Sequence, residues 1–466
     1  MPRALLSGRV ARANVAAVQI LRAPRVGGVA LGGVALGIVA AIQACTLSRQ
    51  FDAEAELQQS SHANVNGTTA VAPSADNPTQ PDPVNAKTAA TNSSVSEDLR
   101  ALQPPYPIRE HAWLRTGLGA IRGTTVGPIE NQLHPDRGYG SAVCAHTMHE
   151  IRRMGGNWVS ITPFGRVYNL EPSGVSLRFE APFAENQAAV KGAIQQAHAE
   201  GLRVLLVPHL WVETGDWRGH IAPKTDDAWQ RWMKAYGDFA VTWATIAESA
   251  QVEMLAVGVE LRSWVTTARA PDFFPVIERV RKAYRGPLTY AANWDDVHDT
   301  VIWDQLDVIG INAFFPLADK EGASDRTLAE GASRIAVQLR RVAERWGKPI
   351  VFTEFGYTTR KEPAVRPWEW PEHLTNVQID ERDQARAYRA LLGAMIPEPW
   401  FVGVFVWRLY ADPSDVSQEP EWGFSPRGKR AELELVDAFR AHWGADGYRP
   451  LGTALGRFAV ERIRAF

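Results

Sequence analysis

The chain has 466 residues, a formal net charge of −2 and a hydrophobic content of 45%. This length allows one large domain or two ordinary ones, and the balanced charge, without a basic run, argues against nucleic acid as a partner. Two cysteines are too few for a disulfide framework or a cysteine-rich metal site.

The N-terminal 45 residues have the layout of an export signal. Several arginines precede an apolar run at 26–42, which is the order of regions in a signal peptide. The run ends in AIQAC, a sequence that resembles a bacterial lipoprotein box. We therefore predict a lipid on Cys45, with an uncleaved membrane anchor as the alternative. Either one predicts a membrane-tethered protein of the cell envelope, in the periplasm or on the outer surface.

A polar segment follows over residues 46–104. Ser, Thr, Asn, Ala and Pro dominate it, and aromatic residues are almost absent. Such a composition cannot bury enough apolar surface to offset the entropy lost when the chain is ordered. The sequence therefore predicts a disordered linker here and a folded domain over residues 105–466.

From about residue 110 onward, short apolar runs alternate with longer amphipathic stretches. The eight runs lie at 118–126, 157–164, 203–211, 252–260, 287–294, 306–315, 349–357 and 401–410. Helical patterns lie between them at 185–201, 226–249, 325–347 and 381–396. Strands that alternate with helices predict right-handed βα units and a parallel sheet. Eight such units fit a closed (β/α)8 TIM barrel. The alternative is an open doubly wound sheet, but that fold usually has a glycine-rich G-x-G-x-x-G first turn, and GTTVGP after the first run does not match it.

Polar and aromatic residues stand at the ends of these runs, where barrel enzymes place their active sites. The candidates for substrate binding are His209, Trp211, Asn293, Trp294, Asp296, Asn312, Phe314, Tyr357 and Trp407. Packing in the core or at the rim is the alternative role for His209 and Trp211. Tyr357 has two alternative roles: a hydrogen bond to the substrate or to a catalytic carboxylate, or a purely structural one.

Glu260 ends the fourth run, and Glu354 lies within the seventh. In a barrel they face one another across the mouth. Two carboxylates about 5–5.5 Å apart are the arrangement of a retaining glycosidase, in which one is the nucleophile and the other the acid and base. The alternative is that each glutamate pairs with an arginine, for which Arg262 and Arg408 are the nearest candidates in sequence.

Five short motifs carry a resemblance to a known family: GVELRSW, YAANWDDV, GINAFFPL, FTEFGY and VFVW. With glutamates after strands four and seven, the chain resembles the clan A glycoside hydrolases over roughly residues 115–445, and most of all family 113 and its uncharacterised TIM-barrel relatives. The resemblance implies a retaining hydrolase of mannan-type β-glycans. It implies that Glu260 is the acid/base, Glu354 the nucleophile and Trp407 the floor beneath the sugar at the cleavage point. From the residues themselves we expect no cofactor and no metal.

Val259 departs from the pattern of that clan, which mostly has asparagine before the acid/base. That amide binds the sugar 2-hydroxyl, and Asn293 or Asn312 are its possible substitutes here. The departure leaves a non-catalytic glycan-binding barrel as an alternative function. A metal-dependent hydrolase is a weaker alternative, because the adjacent Asp295 and Asp296 should point to opposite sides of a strand.

Overall fold

Eight parallel strands form a closed barrel in a computed structural model of the chain. The structure describes residues 120–127, 136–179, 181–369, 377–414 and 421–441. The predicted export signal, Cys45 and the predicted linker lie outside the described residues, and so do residues 105–119 of the predicted domain.

The described part of the chain contains ten strands. They are β1 (Ile121–Gly127), β2 (Trp158–Ile161), β3 (Phe164–Val167), β4 (Arg203–Leu206), β5 (His209–Val212), β6 (Met254–Val259), β7 (Leu288–Asn293), β8 (Ile309–Asn312), β9 (Ile350–Phe355) and β10 (Phe401–Tyr410). The barrel order is β1, β2, β4, β6, β7, β8, β9, β10, and β10 pairs with β1 to close it. Each predicted apolar run overlaps one barrel strand, so the predicted TIM barrel is confirmed.

Helices surround this barrel. They are α1 (Ala142–Arg153), α2 (Phe183–Ala199), α3 (Asp226–Ser249), α4 (Arg262–Val265), α5 (Phe274–Ala283), α6 (Asp325–Trp346), α7 (Glu381–Met395) and α8 (Arg430–Ala441). The side chains of Thr225 and Ser324 cap α3 and α6 by accepting from backbone N–H groups of the first turn. None of the helices in the described ranges has the length and hydropathy of a membrane-spanning segment.

The barrel closes tightly between β1 and β10. Gly403 has a φ of +138°, and a Cβ there would overlap the carbonyl of Ile121. Only glycine tolerates that backbone conformation and that close approach. The side chains of the barrel strands are almost all buried, because the lumen fills with side chains on one side and the helices cover the other.

A second sheet, which the sequence pattern did not predict, extends the barrel at its C-terminal rim. The second and third predicted runs each pass from a barrel strand into the start of a second strand, because Pro163 and Pro208 interrupt them. Proline lacks an N–H group and cannot donate to the barrel ladder. The chain then continues as β3 and β5, which pair in parallel with Phe164 beside His209.

Candidate active site

Glu260 follows β6, the fourth barrel strand, in a conformation that is rare for its residue type. Its φ is +51°, in the left-handed region that favours glycine. Its backbone N–H donates to the carbonyl of Ala291 on β7 at 2.9 Å, so the turn is fixed to the neighbouring strand. The residue is only 7% exposed. Strained backbone of this kind concentrates at functional sites.

Three donors hold the carboxylate of Glu260. Oε2 accepts from Trp217 Nε1 at 3.0 Å and from Arg218 Nη1 at 2.8 Å. Oε1 accepts from Asn312 Nδ2 at 2.8 Å. Glu260 therefore does pair with an arginine, as the alternative reading expected, but the partner is Arg218, and Arg262 pairs with Asp295 and Asp296 instead. Arg218 reaches Glu260 because the segment after β5 passes close to the end of β6, the fourth barrel strand.

Glu354, on the seventh barrel strand, lies beside this group. Asn312 on β8 is paired in register with Glu354, and the backbone N–H of Ala313 donates to the carbonyl of Glu354 at 2.8 Å. Asn312 also accepts from the hydroxyl of Thr353 at 2.9 Å, which orients its amide N–H group toward Glu260. One asparagine therefore connects the strands that carry the two buried glutamates.

His209, the first residue of β5, lies beside Glu354. Its Nε2 lies 3.7 Å from Glu354 Oε1, beyond ordinary hydrogen-bonding distance, and has no hydrogen-bond partner within the described residues. Burial, aided by the positive charges of Arg218 and Arg408, holds the pKa of His209 well below its usual range. The imidazole is therefore neutral beside the carboxylate at ordinary pH.

Arg262, two residues after Glu260, binds the two aspartates that follow β7. Its Nε donates to Asp296 at 2.5 Å and its Nη2 to Asp295 at 2.7 Å, while its guanidinium lies 4.6 Å from the ring centroid of Trp217. The prediction that the two aspartates face opposite sides is wrong, because β7 ends at Asn293 and they lie in a turn. Burial raises the pKa of Asp296 to about 7, against the lowering effect of Arg262.

Three of the predicted aromatic residues lie around the mouth with partners of their own. Trp294 stacks on Trp368 with centroids 5.1 Å apart and an interplanar angle of 17°. Phe314 packs edge-on against Phe424 at 5.5 Å. The guanidinium of Arg408 lies 5.0 Å from the ring centroid of Trp407, so one face of that indole is covered.

Two other predicted residues make packing contacts. Trp211 lies edge-on against Phe164 and Phe179, at 6.3 and 5.9 Å. Tyr357 is fully buried, and its hydroxyl donates to the carbonyl of Phe315 at 2.9 Å. The hydroxyl of Tyr357 is therefore bonded to the backbone and not to Glu354 or Glu260, because the residue lies beyond the end of β9 and packs against Tyr388 of α7.

Asn293 differs from Asn312 in having an uncommitted amide. The two asparagines are neighbours in register on β7 and β8. Asn293 is buried, and its Nδ2 has no hydrogen-bond partner among the described residues. An unsatisfied buried amide is costly, so this group is the better placed of the two to meet a ligand.

The described residues contain no group of three His, Cys, Asp or Glu side chains arranged to hold a metal ion.

Trp217 and Arg218 are the contributors that sequence reasoning missed. They lie in ETGDWRGHI, the loop after β5, which has neither a strand nor a helix period. A tryptophan and an arginine in a loop at the C-terminal end of a barrel strand were the available signal.

Comparison with known proteins agrees with this geometry. The family model described as Glycoside Hydrolase Family 113 matches residues 133–424, more than half of the chain. No curated protein sequence gave a significant match.

Solved structures resemble the chain over about two thirds of its length. One is the family 113 β-mannanase of Alicyclobacillus acidocaldarius in complex with ManMIm, with 26% identity, a TM-score of 0.60, and coverage of 69% of this chain and 98% of that one. A family 113 β-1,4-mannanase has 23% identity, a TM-score of 0.59, and coverage of 69% and 99%.

A family 5 mannosidase of Rhizomucor miehei shares the fold at 13% identity and a TM-score of 0.50, with coverage of 69% and 92%. Family model, barrel and paired glutamates agree, and the chain belongs to glycoside hydrolase family 113 and is a glycosidase.

Proposed function

We propose that the protein is a retaining glycoside hydrolase that cleaves a mannan-type β-glycan, with Glu354 as nucleophile and Glu260 as acid and base. The observation that carries the proposal is that two buried glutamates stand at the C-terminal ends of β6 and β9, and that Asn312 donates to Glu260 while it is paired in register with Glu354. The substrate class is suggested by the β-mannanases that the chain resembles. A poly- or oligosaccharide is therefore the expected partner.

The surroundings of the two carboxylates fit different roles. Oε2 of Glu260 accepts two hydrogen bonds, which occupy both of its in-plane lone pairs, whereas Oε1 accepts one. Oε1 is therefore the oxygen with room for the proton that goes to the leaving group. Glu354 faces a neutral imidazole rather than a cationic one, so His209 does not neutralise the charge with which it attacks the anomeric carbon.

The two carboxylates and one water molecule account for both steps of the reaction. Glu354 attacks the anomeric carbon and forms a glycosyl ester, while Glu260 gives its proton to the departing oxygen. Glu260 next takes a proton from water, which attacks the same carbon and releases Glu354. We assign Asn293 and the face of Trp407 opposite Arg408 to the sugar at the cleavage point, Asn293 through a hydrogen bond and Trp407 through stacking.

The test is hydrolysis of mannans, other β-glycans and aryl glycosides by purified protein, with product anomers followed by NMR. Glu260→Gln and Glu354→Gln should each remove most activity and leave the fold intact. Glu398→Gln is the matched control, because Glu398 is also a shielded carboxylate bonded to an arginine, Arg340, but precedes β10 at the other end of the barrel. Inverted products, or near-parental activity in either site variant, contradict the mechanism.

We also propose that Cys45 carries lipid and tethers the catalytic domain to a membrane of the cell envelope. The support is the order of basic residues, apolar run and AIQAC in the sequence. Mass spectrometry of the mature N-terminus tests it. An N-terminus at residue 1, or cleavage without lipid, argues against the proposal.

A further inference from the structure

Strand β9 has a bulge where it reaches the active site. From Ile311 to Asn312, β8 advances by one residue, while β9 advances by two, from Phe352 to Glu354. The residue of β9 that is left without a partner in this register is Thr353. The pairing of β9 with β10 is also irregular at this point. Bulges of this kind are frequent beside active sites, where they redirect a side chain.

The bulge brings two successive side chains of β9 to the site. Neighbours on a regular strand point to opposite faces, yet Thr353 and Glu354 both reach side chains of the active site. Thr353 Oγ1 donates to Asn312 Oδ1 at 2.9 Å, and Glu354 Oε1 lies 3.7 Å from His209 Nε2. The bulged residue therefore contacts the asparagine that holds Glu260, and the residue after it is the proposed nucleophile.

Thr353 is tightly enclosed. Thr353 and Asn312 are each 1% exposed. Gly310 on β8 leaves room for the threonine methyl group, because a Cβ at Gly310 would lie 2.9 Å from Thr353 Cγ2. The amide oxygen of Asn312 would be left unsatisfied without the Thr353 hydroxyl, and an unsatisfied buried acceptor is costly.

The hydroxyl of Thr353 fixes which end of the Asn312 amide meets Glu260. An amide side chain has an acceptor at one end and two donors at the other. Because Oδ1 accepts from Thr353, Nδ2 is turned toward Glu260 Oε1, to which it donates at 2.8 Å. In the reversed orientation, Oδ1 would meet Glu260 and would accept the proton of the carboxylic acid, while the Thr353 hydroxyl would lose the oxygen to which it donates.

We propose that Thr353 is a positioning residue for the proton transfer at Glu260 and acts through Asn312. By keeping the N–H groups of Asn312 toward Glu260, it prevents the carboxylic acid from donating to the amide oxygen. The proton then goes to the departing glycosidic oxygen: the O–H bond of Glu260 breaks as the O–H bond of the leaving group forms. This inference rests on the proposed function, and it makes the bulge of β9 a shared support of both carboxylates.

The experiment compares Thr353→Val, Thr353→Ser and the parent on aryl glycosides of graded leaving-group ability. Valine keeps nearly the shape of threonine without the hydroxyl. Thr353→Val should therefore lower kcat/KM about tenfold on poor leaving groups, which need the proton, and much less on good ones. Thr353→Ser keeps the hydroxyl and loses the methyl group, so it should lower the melting temperature and retain the leaving-group dependence of the parent.

Thr289→Val is the matched control. Thr289 is also a fully buried threonine of a barrel strand, but its hydroxyl donates to the backbone carbonyl of Val308 at 3.0 Å. This variant should lose stability without a change in leaving-group dependence. In an Asn312→Ala background, Thr353→Val should change the leaving-group dependence no further, because two residues that act as a unit are not additive.

Three results overturn the inference: a loss in Thr353→Val that is the same for every leaving group, a changed leaving-group dependence in Thr353→Ser, or additive effects in the Asn312→Ala background. A parent that cleaves no glycoside refutes the proposed function separately. The contact is then decided by NMR of protein with isotope-labelled asparagine, in which loss of a signal in Asn312→Ala identifies that side-chain amide. The signal should be retained in Thr353→Ser and move in Thr353→Val, and an equal signal in both variants and the parent overturns the inference.

Discussion

Replacing Trp217 with phenylalanine removes one donor from Glu260 and little else. The indole is 1% exposed, and its Nε1 donates to Glu260 Oε2 at 3.0 Å. Phenylalanine keeps an aromatic ring beneath Arg262, whose guanidinium lies 4.6 Å away, but it has no N–H group. Arg218 and Asn312 remain to hold the carboxylate.

The expected loss follows from the lost bond. A hydrogen bond to a charged group contributes about 1.5–3 kcal/mol, and each 1.4 kcal/mol is about tenfold in rate. With two donors remaining, we expect kcat/KM to fall about tenfold on substrates with poor leaving groups. Aryl glycosides whose leaving group departs without a proton should lose much less, because acid catalysis contributes little to their first step. The smaller ring should also lower the free energy of unfolding by about 1–2 kcal/mol.

The assay is kcat/KM across aryl glycosides of graded leaving-group ability, with Trp400→Phe as the matched control. Trp400 is also fully buried, but it precedes β10 at the far end of the barrel, and its Nε1 has no hydrogen-bond partner in the described structure. The control should lose stability without a leaving-group dependence. A loss in Trp217→Phe that is the same for every leaving group refutes the view that this indole acts through Glu260.

Three further substitutions test other parts of the structure. Val259→Asn should raise kcat more than it lowers KM, because contacts to the 2-hydroxyl strengthen in the transition state; kinetics on one aryl glycoside test this, and a stable variant with unchanged kcat contradicts it. The folded-state pKa of Asp296 is raised to about 7, so the folded protein binds a proton that the unfolded chain has lost, and stability should fall by up to about 4 kcal/mol as pH rises from about 4 to about 7. Asp296→Asn should flatten that fall in urea titrations at about pH 5 and about pH 8, and an unchanged slope contradicts the assignment. Gly403→Ala should cost about 2–4 kcal/mol in unfolding free energy, because its backbone and its β1 neighbour exclude a Cβ; Gly322→Ala, also at positive φ but in open space, should cost less, and equal losses contradict the close-approach argument.

The barrel could be predicted because the hydrophobic pattern of each short segment indicates whether it forms a strand or a helix. Each strand is a short buried run and each helix has a 3.6-residue pattern, and these signals do not depend on distant residues. The predicted helix over 226–249 matches α3 at both ends, and the predicted helix over 325–347 matches α6 to one residue. The split of two runs at Pro163 and Pro208 was missed, although proline was the available sign.

The partners of the site residues were less predictable because they meet across the fold. Arg262 is two residues from Glu260 in sequence, yet it pairs with the turn after β7, while Arg218 reaches Glu260 from the loop after β5. Loop paths have no periodic signal, so proximity in sequence was the only guide. It gave the wrong arginine, whereas the positions of Glu260 and Glu354 followed from the strands alone.

Arg262, Asp295 and Asp296 form a charged group near Glu260 that could not be predicted from the sequence. Asp295 and Asp296 lie near Glu260, and its negative charge contributes to the raised pKa of Asp296. Arg262 binds both aspartates and places its positive charge over the ring of Trp217, which donates to Glu260. Like charges at short range would otherwise repel one another. Arg262 therefore offsets the negative charge of the two aspartates near Glu260, the proposed acid/base, while Trp217 donates to Glu260.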